Sequence, residues 1–91
     1  MPTISEFYGI QIRMFINDHP PPHVHARYGE YEACFSIADG EIIEGKVPPQ
    51  ARRLVRKWIR LHPAQLAECW RLAAQGDLPT EIGGLDADQG D

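Results

Sequence analysis

A change of hydrophobic period at Pro48-Pro49 narrows the folds open to this chain more than any other feature. Upstream of it, Ile10, Ile12, Met14 and Ile16 alternate with Gln11, Arg13, Phe15 and Asn17, the two-residue period of a half-buried strand. Residues 17–22 interrupt regular pairing. Segments 23–28 and 31–37 then read as two further strands joined by Gly29-Glu30, and a leading glycine suits a type II′ hairpin turn. Asp39-Gly40 is the strongest short hairpin signal and leads into a brief strand through Glu41, Ile42 and Ile43. Downstream the period lengthens to that of a helix. Ala51, Leu54, Val55, Trp58, Ile59 and Leu61 form one apolar stripe; Leu66, Ala67, Cys69, Trp70 and Ala73 form a second. Pro48-Pro49 and Pro63 suit first helical turns, and Gly76 followed by Pro79 suits a helix end. Leu78, Ile82 and Leu85 are expected to clip onto the core. The expected fold class is α+β, an antiparallel four-stranded meander packed on one face by a C-terminal helical hairpin. Residues 1–85 are expected to form a single domain, with 86–91 a flexible acidic tail.

Ninety-one residues give room for one core, and 43% hydrophobic with 24% charged residues fits a soluble globular chain. No run approaches the roughly 18 apolar residues of a membrane span, and Met1 to Ile4 lacks the basic start of a secretory signal. The expectation is a cytoplasmic protein with no membrane contact and with Cys34 and Cys69 reduced. The net charge of −4 conceals a segregation: Arg52, Arg53, Arg56, Lys57 and Arg60 crowd one stretch, and no acid lies between positions 45 and 67. Such a stripe has no local ion-pair partners. It would suit an acidic partner protein or the backbone of RNA or DNA, although the overall negative charge argues against broad nucleic-acid binding.

The least ordinary segment is Asp18-His19-Pro20-Pro21-Pro22-His23-Val24-His25-Ala26-Arg27-Tyr28, which holds three of the four histidines. A two-residue turn at Gly29-Glu30 puts Val24, Ala26, Tyr28, Tyr31, Ala33, Phe35 and Ile37 on one hairpin face. His23, His25, Arg27, Glu32, Cys34 and Ser36 fall on the other. With helices over the apolar face, the histidine face is expected to stay open. His23 and His25 project from the same side roughly 6–7 Å apart. With His19 folding back, and Cys34 or Asp18 completing the set, they could hold a divalent transition metal such as zinc. Alternatively His23, His25 and Arg27 could act as catalytic groups of a metal-independent RNA-cleaving toxin, one imidazole moving protons and the arginine meeting phosphorane charge. Glu32 opposite would partly neutralise that arginine. His25 could also draw the proton from Cys34. The plainest reading is that Asp18 and His19 cap a turn while the histidines bond neighbouring strands. As a contact surface, the binding residues would be Asp18, His19 and Glu32 with Arg52, Arg53, Arg56, Lys57 and Arg60. Exposed edge strands make a homodimer an option.

These residues resemble the domain of unknown function 4160 family of small bacterial proteins. The likeness is carried by Met1-Pro2-Thr3-Ile4, Tyr8-Gly9, Asp18-His19 through Pro21-Pro22-His23-Val24-His25, Tyr28-Gly29, Glu32-Ala33, Asp39-Gly40, Leu66 and Trp70, over roughly positions 1 to 85. Ile82-Gly83-Gly84-Leu85 departs from the Ile-x-Pro-Leu ending common in that family. The resemblance implies a cytoplasmic protein encoded beside a small protein of the domain of unknown function 2442 type, in a toxin–antitoxin-like arrangement. It assigns no catalytic residue. The leading expectation is a partner-binding component of such a module, with the metal-independent RNA-cleaving toxin and the metal-binding protein as alternatives.

Overall fold

The computed structural model describes residues 3–85. It contains five strands, β1 (Thr3–Phe7), β2 (Ile10–Arg13), β3 (His23–Tyr28), β4 (Tyr31–Ser36) and β5 (Ile42–Lys46), then two helices, α1 (Pro49–Leu61) and α2 (Pro63–Ala74). The strands form one antiparallel sheet in sequence order. The architecture is α+β as expected, with five strands rather than four. The added strand, β1, escapes the alternation rule because a bulge lies between Thr3 and Ser5. Its core residues Ile4 and Phe7 therefore stand three apart instead of two. It turns into β2 through Tyr8-Gly9, both at positive φ (50° and 79°), the backbone of a type I′ turn without the usual Asn or Asp in the first place.

The β3–β4 register is the one expected, with His23 opposite Ser36, His25 opposite Cys34 and Tyr28 opposite Tyr31. Gly29 takes φ 62° in the turn. The Asp39-Gly40 signal serves a longer loop: the Gly40 amide donates to the Ser36 carbonyl at 2.8 Å, and β5 starts only at Ile42. β5 is itself bulged, since Cys34 faces Glu44 while Phe35 faces Ile42, which leaves Ile43 as the extra, exposed residue. Gly45, opposite Ala33, sits at φ 80°, and a Cβ there would fall on the Glu32 carbonyl oxygen.

One apolar face of the sheet carries Ile10, Ile12, Val24, Ala26, Ala33 and Phe35 into a single core with Val55, Trp58, Ile59, Leu66 and Cys69. Fully burying side chains such as Phe35 or Trp58 contributes about 2–3 kcal/mol each before conformational entropy is counted. Leu61, expected on the apolar stripe, is exposed because it falls in the last turn of α1. α2 ends in a Schellman motif, with Gly76 N–H donating to Ala73 and Asp77 N–H to Leu72. Beyond it Leu78 is exposed, whereas Ile82 and Leu85 are buried as expected. The Ile82 amide donates to the Ile4 carbonyl at 2.7 Å, and Trp58 Nε1 donates to the Gly83 carbonyl at 2.8 Å. These two bonds lay the C-terminal segment along the outer side of β1. The acidic tail expected at 86–91 lies outside the described residues. No described helix is long and apolar enough to cross a membrane.

Candidate functional site

The histidine face is not open where the histidines stand. His23 is only 4% exposed, and β3 buries His23 and Val24 in succession, so alternation fails at its first residue. The cause is the loop between β2 and β3, which folds back over that end of the hairpin. Its Asn17 amide donates to the Ala73 carbonyl at the end of α2 (2.9 Å), and Pro22 accepts from the Ile37 amide (3.1 Å). The Pro20-Pro21 peptide bond within it is cis. Phe15 from this loop lies 4.3 Å from the His25 ring, and Trp70 of α2 lies 5.4 Å from the His23 ring, centroid to centroid. Trp70, expected in the core, is half-buried and packed against it, with its other side beside His23.

At the centre of the cluster is Asp18, on the same loop. One of its oxygens, Oδ2, lies 3.0 Å from His23 Nε2 and 3.1 Å from His25 Nε2, while Oδ1 accepts the His19 amide at 2.9 Å. Burial alone would raise the Asp18 carboxyl. The His25 and His19-amide hydrogen bonds, with the charges of His23 and His25, outweigh it and hold the group below the ordinary carboxylate value. The outer nitrogens are also engaged. His23 Nδ1 donates to the Pro21 carbonyl at 2.7 Å, and His25 Nδ1 lies 3.3 Å from Cys34 Sγ. Burial raises the Cys34 thiol, and the negative charges of Glu44, Asp18 and Glu32 add to the effect. A thiol so held is a poor free nucleophile, so the Cys34–His25 pair does not have the electrostatics of an activated cysteine.

His19 stays at the rim. Its side chain is 82% exposed and 3.7 Å from Asp18 Oδ1; its ring lies 5.4 Å from that of His23, centroid to centroid, but it is not among the three residues His23, His25 and Cys34 whose ligating atoms group together. Arg27 is exposed and donates to the Gly29 carbonyl (3.3 Å) near the turn, opposite Glu32. The structure thus brings His23 and His25 together with Asp18 and Cys34, and leaves Arg27 and Glu32 at the other end of the hairpin. A small cavity of about 70 Å³ is lined by His19, Pro21, His23, His25, Cys34, Ile43 and Glu44. Glu44 carried no sequence signal, because only the β5 bulge sets it opposite Cys34.

The basic residues belong to a different surface. Arg52, Arg53, Lys57 and Arg60 are exposed on α1, and among the described residues none has an ion-pair partner. Arg56 alone pairs, with Glu41 at 3.0 Å. Arg53, Arg56, Lys57, Arg60 and Leu61 line a shallow depression that shares no residue with the histidine cavity.

The family model for the domain of unknown function 4160 matches residues 9–71. The chain belongs to the domain of unknown function 4160 family. That span takes in Asp18, His23, His25, Cys34, the whole of α1 and Trp70; β1 and the C-terminal segment fall outside it. No curated protein and no solved structure matched the chain.

Proposed function

We propose that this chain of the domain of unknown function 4160 family is a cytoplasmic partner-binding protein. The basic face of α1 receives an acidic protein, as expected of one half of a toxin–antitoxin-like pair. The observation that carries this reading is the unpaired cluster Arg52, Arg53, Lys57 and Arg60. An exposed Leu61 at its end adds an apolar contact to the cationic ones.

Five cations within two and a half helical turns span only about 12 Å. Beyond that patch a long polyanion meets a chain of net charge −4. A compact acidic protein surface avoids that penalty, and charge complementarity of this kind speeds encounter and selects partners. Metal-independent RNA cleavage is less well supported. The two histidines share one carboxylate under cover, and Arg27, the cation that would meet phosphorane charge, is engaged at the turn.

The test is co-expression with a small protein of the domain of unknown function 2442 type. Co-purification is expected, and Arg53→Glu with Arg60→Glu should abolish it while the circular dichroism spectrum stays unchanged. A monodisperse monomer with no association at micromolar concentration would refute the reading. So would a complex indifferent to the charge reversal.

A further inference from the structure

The histidine cluster gathers two imidazoles and a thiol around one carboxylate. His23 Nδ1 faces the Pro21 carbonyl, which can only accept, so Nδ1 holds a proton. Its other ring nitrogen, Nε2, lies 3.0 Å from Asp18 Oδ2. That contact holds together through a shared cation, either a proton on the imidazole or a metal ion in its place. On His25 the same oxygen faces Nε2, so that nitrogen donates and Nδ1 presents its lone pair toward Cys34 Sγ at 3.3 Å. His23, His25 and Cys34 can each offer one ligating atom, and those three atoms lie within 4.8 Å of one another.

We propose that His23 Nε2, His25 Nδ1 and Cys34 Sγ form a binding site for a borderline-soft divalent metal ion of the zinc class. The donor set is two imidazoles and one thiolate, which suits zinc and excludes magnesium or calcium, whose sites are built from oxygen. Bond lengths of about 2.0–2.3 Å at the tetrahedral angle set ligand atoms roughly 3.3–3.8 Å apart. The present spacing, at most 4.8 Å, exceeds that range by no more than about 1.5 Å. In each histidine the nitrogen not offered to the metal is held by a carbonyl or a carboxylate, the support that metal-binding imidazoles need to hold one tautomer and one ring orientation. Pro21 plays that part for His23 and Asp18 for His25.

The surroundings favour a cation as well. Glu44 stands opposite Cys34 and lines the same cavity. Binding converts the thiol to a thiolate and releases its proton to solvent. Three protein ligands would leave one tetrahedral position, and the cavity of about 70 Å³ that these residues line could supply water, Glu44 or His19 to fill it. Such a centre is exchangeable rather than closed. His19, exposed at the rim, is dispensable to it.

The experiment is titration of the metal-stripped full-length chain with zinc chloride in competition with a chromophoric chelator. Cobalt(II) serves as the optical probe of the ligand set. One equivalent per chain is expected, with a sulfur-to-cobalt charge-transfer band. Cys34→Ser, close to isosteric, should remove that band and weaken zinc binding at least about 100-fold. Asp18→Asn should weaken it about 10–100-fold through the lost support of His25, and His19→Ala should leave it within about threefold. Zinc should also protect Cys34 from alkylation in the unmodified chain, a readout independent of how any variant folds. Absence of binding below about 100 μM zinc would overturn the proposal. Unprotected Cys34 at saturating zinc would overturn it too, as would Cys34→Ser binding like the parent.

Discussion

Gly45 offers a sharp test of how the sheet is built, because Gly76 provides an internal control. Both residues sit in the left-handed region, at φ 80° and 86°, so alanine at either position carries the same backbone penalty, about 1 kcal/mol. They differ in what a methyl group would meet. At Gly76 the nearest atom is Asn17 Nδ2 at 4.0 Å, the end of a side chain in ordinary contact. At Gly45 the Cβ would fall on the Glu32 carbonyl oxygen and lie 3.0 Å from Ala33 Cα and 3.3 Å from the Glu32 carbonyl carbon, all of them backbone of β4. Backbone in mid-sheet can yield only by parting the β4–β5 ladder around Ala33 and Gly45, at about 1 kcal/mol for each ladder bond lost. Gly76→Ala should therefore cost about 1 kcal/mol and lower Tm by about 4–8 °C. Gly45→Ala should cost about 3–4 kcal/mol and lower Tm by about 15 °C or more. That is a large share of the roughly 5–14 kcal/mol expected for a domain of this size. Thermal unfolding followed by circular dichroism measures both. Equal shifts for the two variants would refute the steric argument and show that β5 is not held against β4 as described.

Three further outcomes are expected. Trp58→Phe should destabilise by about 2 kcal/mol, combining the lost bond to Gly83 with a smaller ring against Phe7; a change under about 0.5 kcal/mol in urea unfolding would contradict the C-terminal clip. In metal-free protein at pH 8, iodoacetamide should modify Cys34 more slowly than in urea-unfolded chain, because burial and the nearby acids keep the thiol protonated, and Glu44→Gln should speed the reaction; equal folded and unfolded rates would count against that environment. A double-mutant cycle on Arg56 and Glu41 should give a coupling of no more than about 1 kcal/mol, as for other surface pairs, and a larger value would mean that this pair is shielded from water.

What the sequence revealed follows from which interactions are local. The β3–β4 register was legible because a two-residue turn and strict alternation leave a hairpin one way to bury Val24, Ala26, Ala33 and Phe35. The helices were legible from their stripes and prolines. β1 was not, because its bulge converts a two-residue spacing into a three-residue one and its turn uses tyrosine in a left-handed position. In the candidate site, His23, His25 and Cys34 could be placed together from the register. The role of Asp18 could not, since it depends on the path of an irregular loop fastened to the far end of α2. Likewise Phe15 and Trp70 reach the imidazoles only through tertiary packing, and the expectation of an open histidine face failed on those two rings.

The C-terminal clip also bears on how this protein can meet another. A sheet commonly recruits partners by accepting an extra strand along an unpaired rim. Here the β1 rim already has a main-chain contact, from Ile82 to Ile4. The β5 rim is bent by the extra residue Ile43 and carries Glu44 and Lys46, devices that discourage strand pairing. Strand exchange is thereby disfavoured on both flanks. Cutting the chain before Ile82 would release the first rim and leave its backbone open to self-association.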